Sequence, residues 1–405
     1  MKIVLVAAMY APYPGGGAER VVQTQAEGLA ARGHDVHVLT LGEPGSGVTR
    51  SAVGPVGVVR VGIQNLYYPG TTEPTTLKRV AWHGRDFSNL GMARAARGQL
   101  ALLRPDLVVC HNIAGWSAAI WPAIRSLGLP IVQVLHDQYL RCVRSNMFNG
   151  HRCATPCASC RLMRLPHRRL SRTPDAVVGV SRFVIDSHVA AGYFRDVPVR
   201  TFLHNVSHLD TRGRAPAPPL DGPELVFGFI GGLTPIKGIE PLLSAFRAVA
   251  QPHWRLRVAG TGESAYVERL RAEHDDPRIT FLGRQDPATF YLGLDATVVP
   301  SLGADSLPSV VFESLIHGRP VIGSRCGGIP EMIEDGVSGL LYAPDESGAL
   351  ARTLSAFADD AAHWRTRQAD FQPVAAARFC DREGWVVRWE AILAEVLARH
   401  QAPLR

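Results

Sequence analysis

Three side chains in the second half of the chain are typed and spaced to hold a phosphorylated sugar: Lys237, Asp305 and Glu313. Lys237 stands in Phe229-Ile230-Gly231-Gly232-Leu233-Thr234-Pro235-Ile236-Lys237-Gly238. There two glycines end an apolar run, and the lysine precedes a third glycine. Such a loop offers a diphosphate backbone N–H donors and a point charge. The alternative is a surface lysine in a plain turn. Asp305 and Glu313 bracket Ser306-Leu307-Pro308-Ser309-Val310-Val311-Phe312, a turn that opens a helix with Pro308 and Ser309 at its start. Helix-start N–H groups suit phosphate oxygens. Carboxylates facing a vicinal diol accept hydrogen bonds from ribose or hexose hydroxyls. Glu313 taken alone is also explained by favourable pairing with the helix dipole.

Two further glycine turns have the same form. In Tyr13-Pro14-Gly15-Gly16-Gly17-Ala18-Glu19-Arg20, Gly16 and Gly17 permit close backbone approach beside a helix start. Arg20 stands where a dinucleotide fingerprint needs its last glycine, and no ribose-binding acid ends the next strand. A tight turn that binds nothing is the alternative. In Ser324-Arg325-Cys326-Gly327-Gly328-Ile329-Pro330-Glu331, the glutamate in isolation is an ordinary first-turn acid.

Cysteine supplies another constellation. Cys142 precedes Cys153, Cys157 and Cys160, which have C-x3-C-x2-C spacing. Four thiols in so short a stretch suit a tetrahedral zinc site or, second, an iron–sulfur cluster, with His151 a substitute ligand. Reduced, unligated thiols are the alternative. The odd total of seven cysteines and the lack of a signal-peptide pattern favour metal or free thiols over disulfides. Around them stand Arg141, Arg144, Arg152, Arg161, Arg164, Arg168, Arg169 and Arg172. These can meet anionic lipid head groups or a phosphate-bearing acceptor, or form a solvated basic surface. A nucleic-acid finger is the rival, but no aromatic interleaving or recognition helix supports it.

The elements that must position these residues alternate. Ile3–Ala8, Asp35–Thr40, Asp106–Cys110, Ile131–Leu135 and Ala176–Val180 are apolar strand runs, with helical patterns such as Ala18–Ala31 among them. A polar, proline-rich stretch, Asp210–Leu220, interrupts. The rhythm restarts with strands at Leu225–Ile230, Arg255–Ala259, Ile279–Leu282, Ala296–Val299 and Pro320–Ser324. Helices are expected near Ile239–Val249, at Ser309–Ile316 and from Glu331. Continuous Val/Ile/Leu runs fit parallel sheets covered on both faces. Two α/β doubly wound domains are therefore expected. They are residues 1–209, carrying a Cys-rich insertion at about 138–172, and residues 223–375, with a linker at 210–222. A last helix, 376–405, is expected to return to the first domain. Ligands in such folds lie beyond the carboxyl ends of the strands.

A 405-residue chain supports two cores, and 46% hydrophobic residues with 20% charged exclude wholesale disorder. The net charge of +7 is concentrated in the arginine stretch, so it describes a local patch. The opening apolar run is too short to span a bilayer, so the protein is expected in the cytosol, with the patch allowing peripheral association with the inner membrane face.

Taken in order, the motifs resemble those of the retaining glycosyltransferases with two Rossmann-like domains facing a central cleft, the GT-B fold, and specifically family 4. That family carries G-R-L-x-x-x-K-G, E-x7-E and G-G-x-P-E. Here they stand as Gly231-Gly232-Leu233 to Lys237-Gly238, Asp305 to Glu313, and Gly327-Gly328-Ile329-Pro330-Glu331. Gly16-Gly17-Ala18-Glu19 and the His136-Asp137 step match as well. The resemblance covers nearly the whole chain. It implies that Lys237 neutralises a diphosphate leaving group and Glu313 holds ribose hydroxyls. Asp305, with the backbone of Ser306, Leu307, Ser309 and Val310, would hold donor sugar and phosphate. His136 would touch the sugar near the reacting centre, although an isolated histidine there could simply cap local backbone. Gly283, Arg284 and Gln285 would line the base, and Gly16 and Gly17 would approach phosphate or acceptor. Two positions depart from the pattern: Gly232 replaces the usual arginine, and Asp305 is shorter than the usual glutamate.

The expected reaction is transfer of a hexose-type sugar from a nucleoside-diphosphate sugar to a sugar, lipid-linked or small-molecule acceptor, with retention. No D-x-D triad is present, which fits a donor site needing no metal. A sugar-nucleotide epimerase on the same fold and a metal-dependent nucleic-acid-binding protein are the alternatives.

Overall fold

The structure, a computed structural model, describes residues 1–12, 16–68, 75–207, 222–249 and 251–402. The proposed linker lies almost wholly outside them, as do Tyr13, Pro14 and Gly15. The chain divides into two compact units. The first comprises Met1–Asn146, Ala154–Asn205 and Arg382–Arg405; the second comprises Met147–Cys153 and Val206–Asp381.

In the first unit, eight strands among the described residues form one sheet. They are β1 (Lys2–Ala7), β2 (Asp35–Gly42), β3 (Val48–Val53), β4 (Val56–Gly62), β5 (Leu107–Cys110), β6 (Ile131–Leu135), β7 (Ala176–Gly179) and β8 (Val199–Phe202). Their order is β3-β4-β2-β1-β5-β6-β7-β8, parallel throughout except where β3 turns back on β4. β1, β5, β6 and β7 are almost entirely buried, as their unbroken apolar runs require. β3 is exposed along nearly its whole length. An antiparallel hairpin strand of this kind, without a continuous apolar run, was not among the expected elements.

The last helix, Arg382–Gln401, belongs to this unit and packs on helix Gly17–Ala31. Trp385, Trp389 and Leu393 are buried. The approach is so close that a Cβ on Gly28 would lie 2.5 Å from Val386 Cγ2. Glu390 accepts hydrogen bonds from Arg32 Nε at 2.6 Å and pairs with His34 Nε2 at 2.8 Å. The helix before it, Gln368–Phe379, belongs to the second unit, so the change of unit falls at Asp381–Arg382.

The second unit holds β9 (Leu225–Ile230), β10 (Trp254–Ala259), β11 (Ile279–Gly283), β12 (Ala296–Val299), β13 (Val321–Ser324) and β14 (Gly339–Tyr342). All are parallel, in the order β11-β10-β9-β12-β13-β14. Phe227, Phe246, Trp254, Phe357 and Trp364 form an aromatic centre on one face, with Leu242, Leu256 and Leu354. β9 is followed by β10 on one side and flanked by β12 on the other. The strand order therefore reverses between β9 and β12, and the crevice at such a reversal is where α/β sheets bind ligands. Among the described residues no helix is long and apolar enough to cross a membrane.

Candidate functional site

The loops leaving β9, β10 and β11 are laced together by backbone. Gly231 N–H donates to Ala259 O at 3.1 Å, Leu233 N–H to Thr261 O at 2.8 Å, and Gly260 N–H to Gly283 O at 2.7 Å. Gly260 has φ +135°, and a Cβ there would lie 1.8 Å from Gly231 O; one on Gly262 would lie 2.3 Å from Leu233 O. Gly260-Thr261-Gly262 thus underpins the Lys237 loop, a role that sequence reading did not assign. Past Leu233 the chain makes one 3-10 turn, Pro235–Lys237, and Gly238 enters the next helix at φ +73°.

At the reversal point Lys237 from the β9 loop meets Asp305 from the β12 loop. Lys237 Nζ donates to both carboxylate oxygens, at 2.9 and 2.7 Å. Ser301 Oγ donates to the same carboxylate at 2.7 Å. Ser301 was not predicted, although its place four residues before Asp305 was a signal in the sequence. Gly231, Lys237, Ser301, Asp305, Ser309 and Val310 line an open pocket. Into it comes the start of helix Ser309–Ile316, preceded by Pro308.

Glu313, one turn inside that helix, is buried and accepts a hydrogen bond from Tyr291 Oη at 3.1 Å. Burial and the Glu313 carboxylate both push the Tyr291 phenol well above its usual range, so it stays a donor. Tyr291 lies 22 residues away on helix Pro287–Leu292, and no local pattern could have joined the two. The Gly327-Gly328 turn has a visible purpose. Gly327 has φ +60°, a Cβ there would lie 2.0 Å from Asp305 O, and Gly328 N–H donates to that oxygen at 2.8 Å. Ile329–Glu331 is a short 3-10 turn instead of a helix beginning at Glu331.

Arg284 and Gln285 are exposed beyond β11, where Gln285 Nε2 donates to Leu282 O at 2.8 Å. Ser306 is buried, while Gly232 is exposed and Leu307 half-buried. Gly283, the end of β11, holds φ +66°.

The first unit carries its own cluster. His136 follows β6, and its Nε2 lies 2.9 Å from Nδ1 of His111, which follows β5. The rings stack with centroids 5.2 Å apart. Burial lowers both basicities, His136 to about 4 and His111 well below the usual range. Burial also lifts Asp137 to about 6, against a hydrogen bond from Tyr139 N–H at 2.7 Å. His111, unlike His136, was not picked out from sequence. Gly16 and Gly17 begin helix Gly17–Ala31, Gly16 as its N-cap.

The four cysteines are not equivalent. Cys142 and Cys160 are buried with sulfurs 3.9 Å apart. Cys157 is exposed, and a contact with Ser159 Oγ at 3.2 Å, with N–H and thiol of Cys160 adding to it, lowers its thiol to about 7. Cys153 is half-buried and falls in the stretch that groups with the second unit, where Arg152 pairs with Asp345 at 3.0 Å. Among the described residues, no three His, Cys, Asp or Glu side chains form a metal-holding group.

The arginine patch is smaller than sequence implied. Arg164 is 1% exposed and pairs with the wholly buried Asp86 at 3.3 Å, its guanidinium 4.2 Å from the Tyr139 ring centre. Arg141 is buried too, donating to Gln138 Oε1 at 3.0 Å. Both are corrections. An arginine in a basic run can be the one that buries when a carboxylate elsewhere in the chain waits for it. Arg161, Arg168 and Arg169 remain exposed beside Leu162 and Leu165.

Residues 16–203 match the Glycosyl transferase 4-like domain, and residues 224–360 match Glycosyl transferases group 1. The chain belongs to the group 1 glycosyl transferases. This glycosyltransferase is 28% identical over 341 residues to an uncharacterized 42.6 kDa protein in the cps region of Klebsiella pneumoniae, 82% of this chain and 87% of that one. It is 33% identical over 204 residues to a D-inositol 3-phosphate glycosyltransferase of Segniliparus rotundus, 46% of this chain and 42% of that enzyme. The match thus spans under half of that enzyme's length. Among solved structures, sucrose-phosphate synthase from Thermosynechococcus elongatus superposes with TM-score 0.74 at 18% identity, covering 98% of this chain and 99% of that one. Anabaena HepE, solved with UDP and glucose, gives 0.69 at 20% identity, covering 97% and 99%. The glycosyltransferase therefore has the GT-B fold.

Proposed function

We propose that this glycosyltransferase moves a hexose-type sugar from a nucleoside-diphosphate sugar to a sugar, lipid-linked or small-molecule acceptor in polysaccharide, glycolipid or glycoconjugate biosynthesis. The observation that carries this is the meeting of Lys237 and Asp305, beside a helix start, at the strand-order reversal of the second unit. Lys237 neutralises the departing diphosphate, with N–H groups at the start of helix Ser309–Ile316 on its oxygens. Glu313 accepts from ribose hydroxyls, and Asp305 from the donor sugar. Gly283, Arg284 and Gln285 border the base. HepE, solved with UDP-glucose, supports a donor of this class.

Transfer proceeds with retention. Among the described residues that line the pocket, Asp305 is the only carboxylate, and it is engaged by Lys237 and Ser301. The leaving phosphate oxygen then takes the acceptor proton as the C–O bond to the sugar breaks. The test is a binding screen of UDP-, GDP- and ADP-sugars, followed by anomeric NMR of the product. One donor class should bind and turn over only with acceptor; turnover to an isomeric nucleotide sugar without acceptor would instead make this an epimerase.

A structural zinc ion on the insertion thiols belongs to the same proposal. In support, thiolates about 2.3 Å from a tetrahedral zinc lie roughly 3.8 Å apart, close to the 3.9 Å between Cys142 and Cys160. Cys157, and Cys153 by its spacing, complete the set. Elemental analysis of purified protein should give about one zinc per chain, lost in Cys142→Ser and Cys160→Ser; metal-free, folded protein would refute it. The exposed leucines among Arg161, Arg168 and Arg169, with no acid between Asp137 and Asp175, point to contact with anionic lipid. Flotation with phosphatidylglycerol vesicles but not phosphatidylcholine vesicles checks this.

A further inference from the structure

We propose that His111 is a positioning residue that fixes the ring and tautomer of His136, so that His136 presents Nδ1–H to the substrate as a hydrogen-bond donor. The inference rests on His136 meeting the reacting sugar, as the family resemblance implies.

His111 is 1% exposed and held on three sides. Its amide N–H donates to Val6 O at 2.8 Å. Its carbonyl accepts from Gln133 Nε2 at 2.8 Å, and Gln133 Oε1 accepts from Trp121 Nε1 at 2.9 Å. Gln133 and Trp121 are buried as well. This polar chain runs through the apolar interior of the first unit and ends on His136 Nε2. The two rings and Asp137 line one small cavity, with Asn112 and Tyr139. Buried polar side chains tied to one another by hydrogen bonds hold one fixed geometry instead of a mobile ring.

The tautomer follows from hydrogen counting. Burial leaves both imidazoles neutral near pH 7, so a single hydrogen lies between His111 Nδ1 and His136 Nε2. Were His136 the donor, His111 would carry its own hydrogen on Nε2. That atom is buried and, among the described residues, has no hydrogen-bond partner. An orphaned buried N–H is rarer than an under-satisfied acceptor. His111 therefore donates from Nδ1, His136 accepts at Nε2, and the remaining hydrogen of His136 sits on Nδ1. In this state His136 lends a hydrogen bond to a sugar oxygen and is not a base.

The test is long-range ¹H–¹⁵N correlation on ¹⁵N-histidine protein at pH 7.5, with the His136 signals assigned by their loss in His136→Ala. Wild type should show His136 protonated at Nδ1. His111→Leu should scramble or invert the tautomer, and His111→Asn, which can donate to Nε2, should restore it. UDP release from UDP-glucose should fall about 100-fold in kcat for His111→Leu, with little change in KM, and recover in His111→Asn. Wild-type His136 protonated at Nε2 overturns the proposal, even if His111→Leu fails to fold. So does a folded His111→Leu with wild-type kcat. Full activity in His136→Ala would sink the role assigned to His136 while leaving the tautomer result standing, so the two failures are distinguishable.

Discussion

Replacing Lys237 by alanine separates folding from function by magnitude. Its ammonium is bound by both oxygens of Asp305, but the two side chains are 36% and 27% exposed. Solvent screens such a pair, so it contributes about 0.2–1 kcal/mol to stability. In a chain of this size that is a shift in thermal midpoint on the order of 1–2 °C. A charge-assisted hydrogen bond to a phosphate contributes about 1.5–3 kcal/mol, or roughly 10- to 150-fold in Kd. Lys237→Ala should therefore unfold almost like wild type and bind nucleoside diphosphate at least about tenfold more weakly. Asp305→Asn sharpens the contrast. It releases Lys237 from a competing carboxylate, so UDP should bind as well as before or more tightly, while sugar transfer falls. Isothermal titration with UDP and GDP, beside thermal unfolding, reads both. Lys237→Ala binding its nucleotide as tightly as wild type would refute the phosphate role.

Tyr291→Phe removes a donor from the buried Glu313 carboxylate. A loss of about 1.5–3 kcal/mol is expected in urea unfolding, with weaker binding of the nucleoside; an unaltered midpoint and affinity would mean that other donors suffice. Gly238→Ala places a Cβ 1.9 Å from Pro300 O at φ +73°, so the Lys237 loop must shift, and nucleotide affinity should fall together with stability. Three histidines of the first unit set a pH dependence, His188 buried and His83 and His136 half-buried. Burial depresses His83 and His136 to about 4 and His188 to about 3, from 6.5. Groups depressed in the folded state stabilise it fully above pH 6.5 and progressively less as pH falls towards 4. The wholly buried His188 alone accounts for about 2 kcal/mol between pH 6.5 and 5. Stability that is flat from pH 7 to pH 5 in urea titrations would contradict this.

The parts of the site legible in sequence were those whose cause is local. A strand ending in glycine, followed by a helix start, needs only neighbouring residues, so β9, β12 and helix Ser309–Ile316 fell where expected. Lys237, Asp305 and Glu313 could be proposed as site residues because each sits at a fixed offset within such a unit. Tyr291, His111 and Gln133 could not be found this way, since their roles exist only once distant strands stand side by side. The same limit hid the fate of Arg164: its partner Asp86 lies 78 residues away, and composition alone gave a surface patch. The edge strand β3 was missed for the opposite reason. β3 buries almost nothing, so it carries no apolar signal to read.

The seating of helix Arg382–Gln401 on the first unit has a consequence for synthesis. Trp385, Trp389 and Leu393 complete a core whose other residues begin at Ile3. Chains grow from the N-terminus at roughly 5–20 residues per second, so this unit waits on the ribosome for its final helix. The second unit has all its residues earlier. The half that starts first is thus the last that can close, and a nascent chain stalled near Cys380 would carry an exposed apolar face.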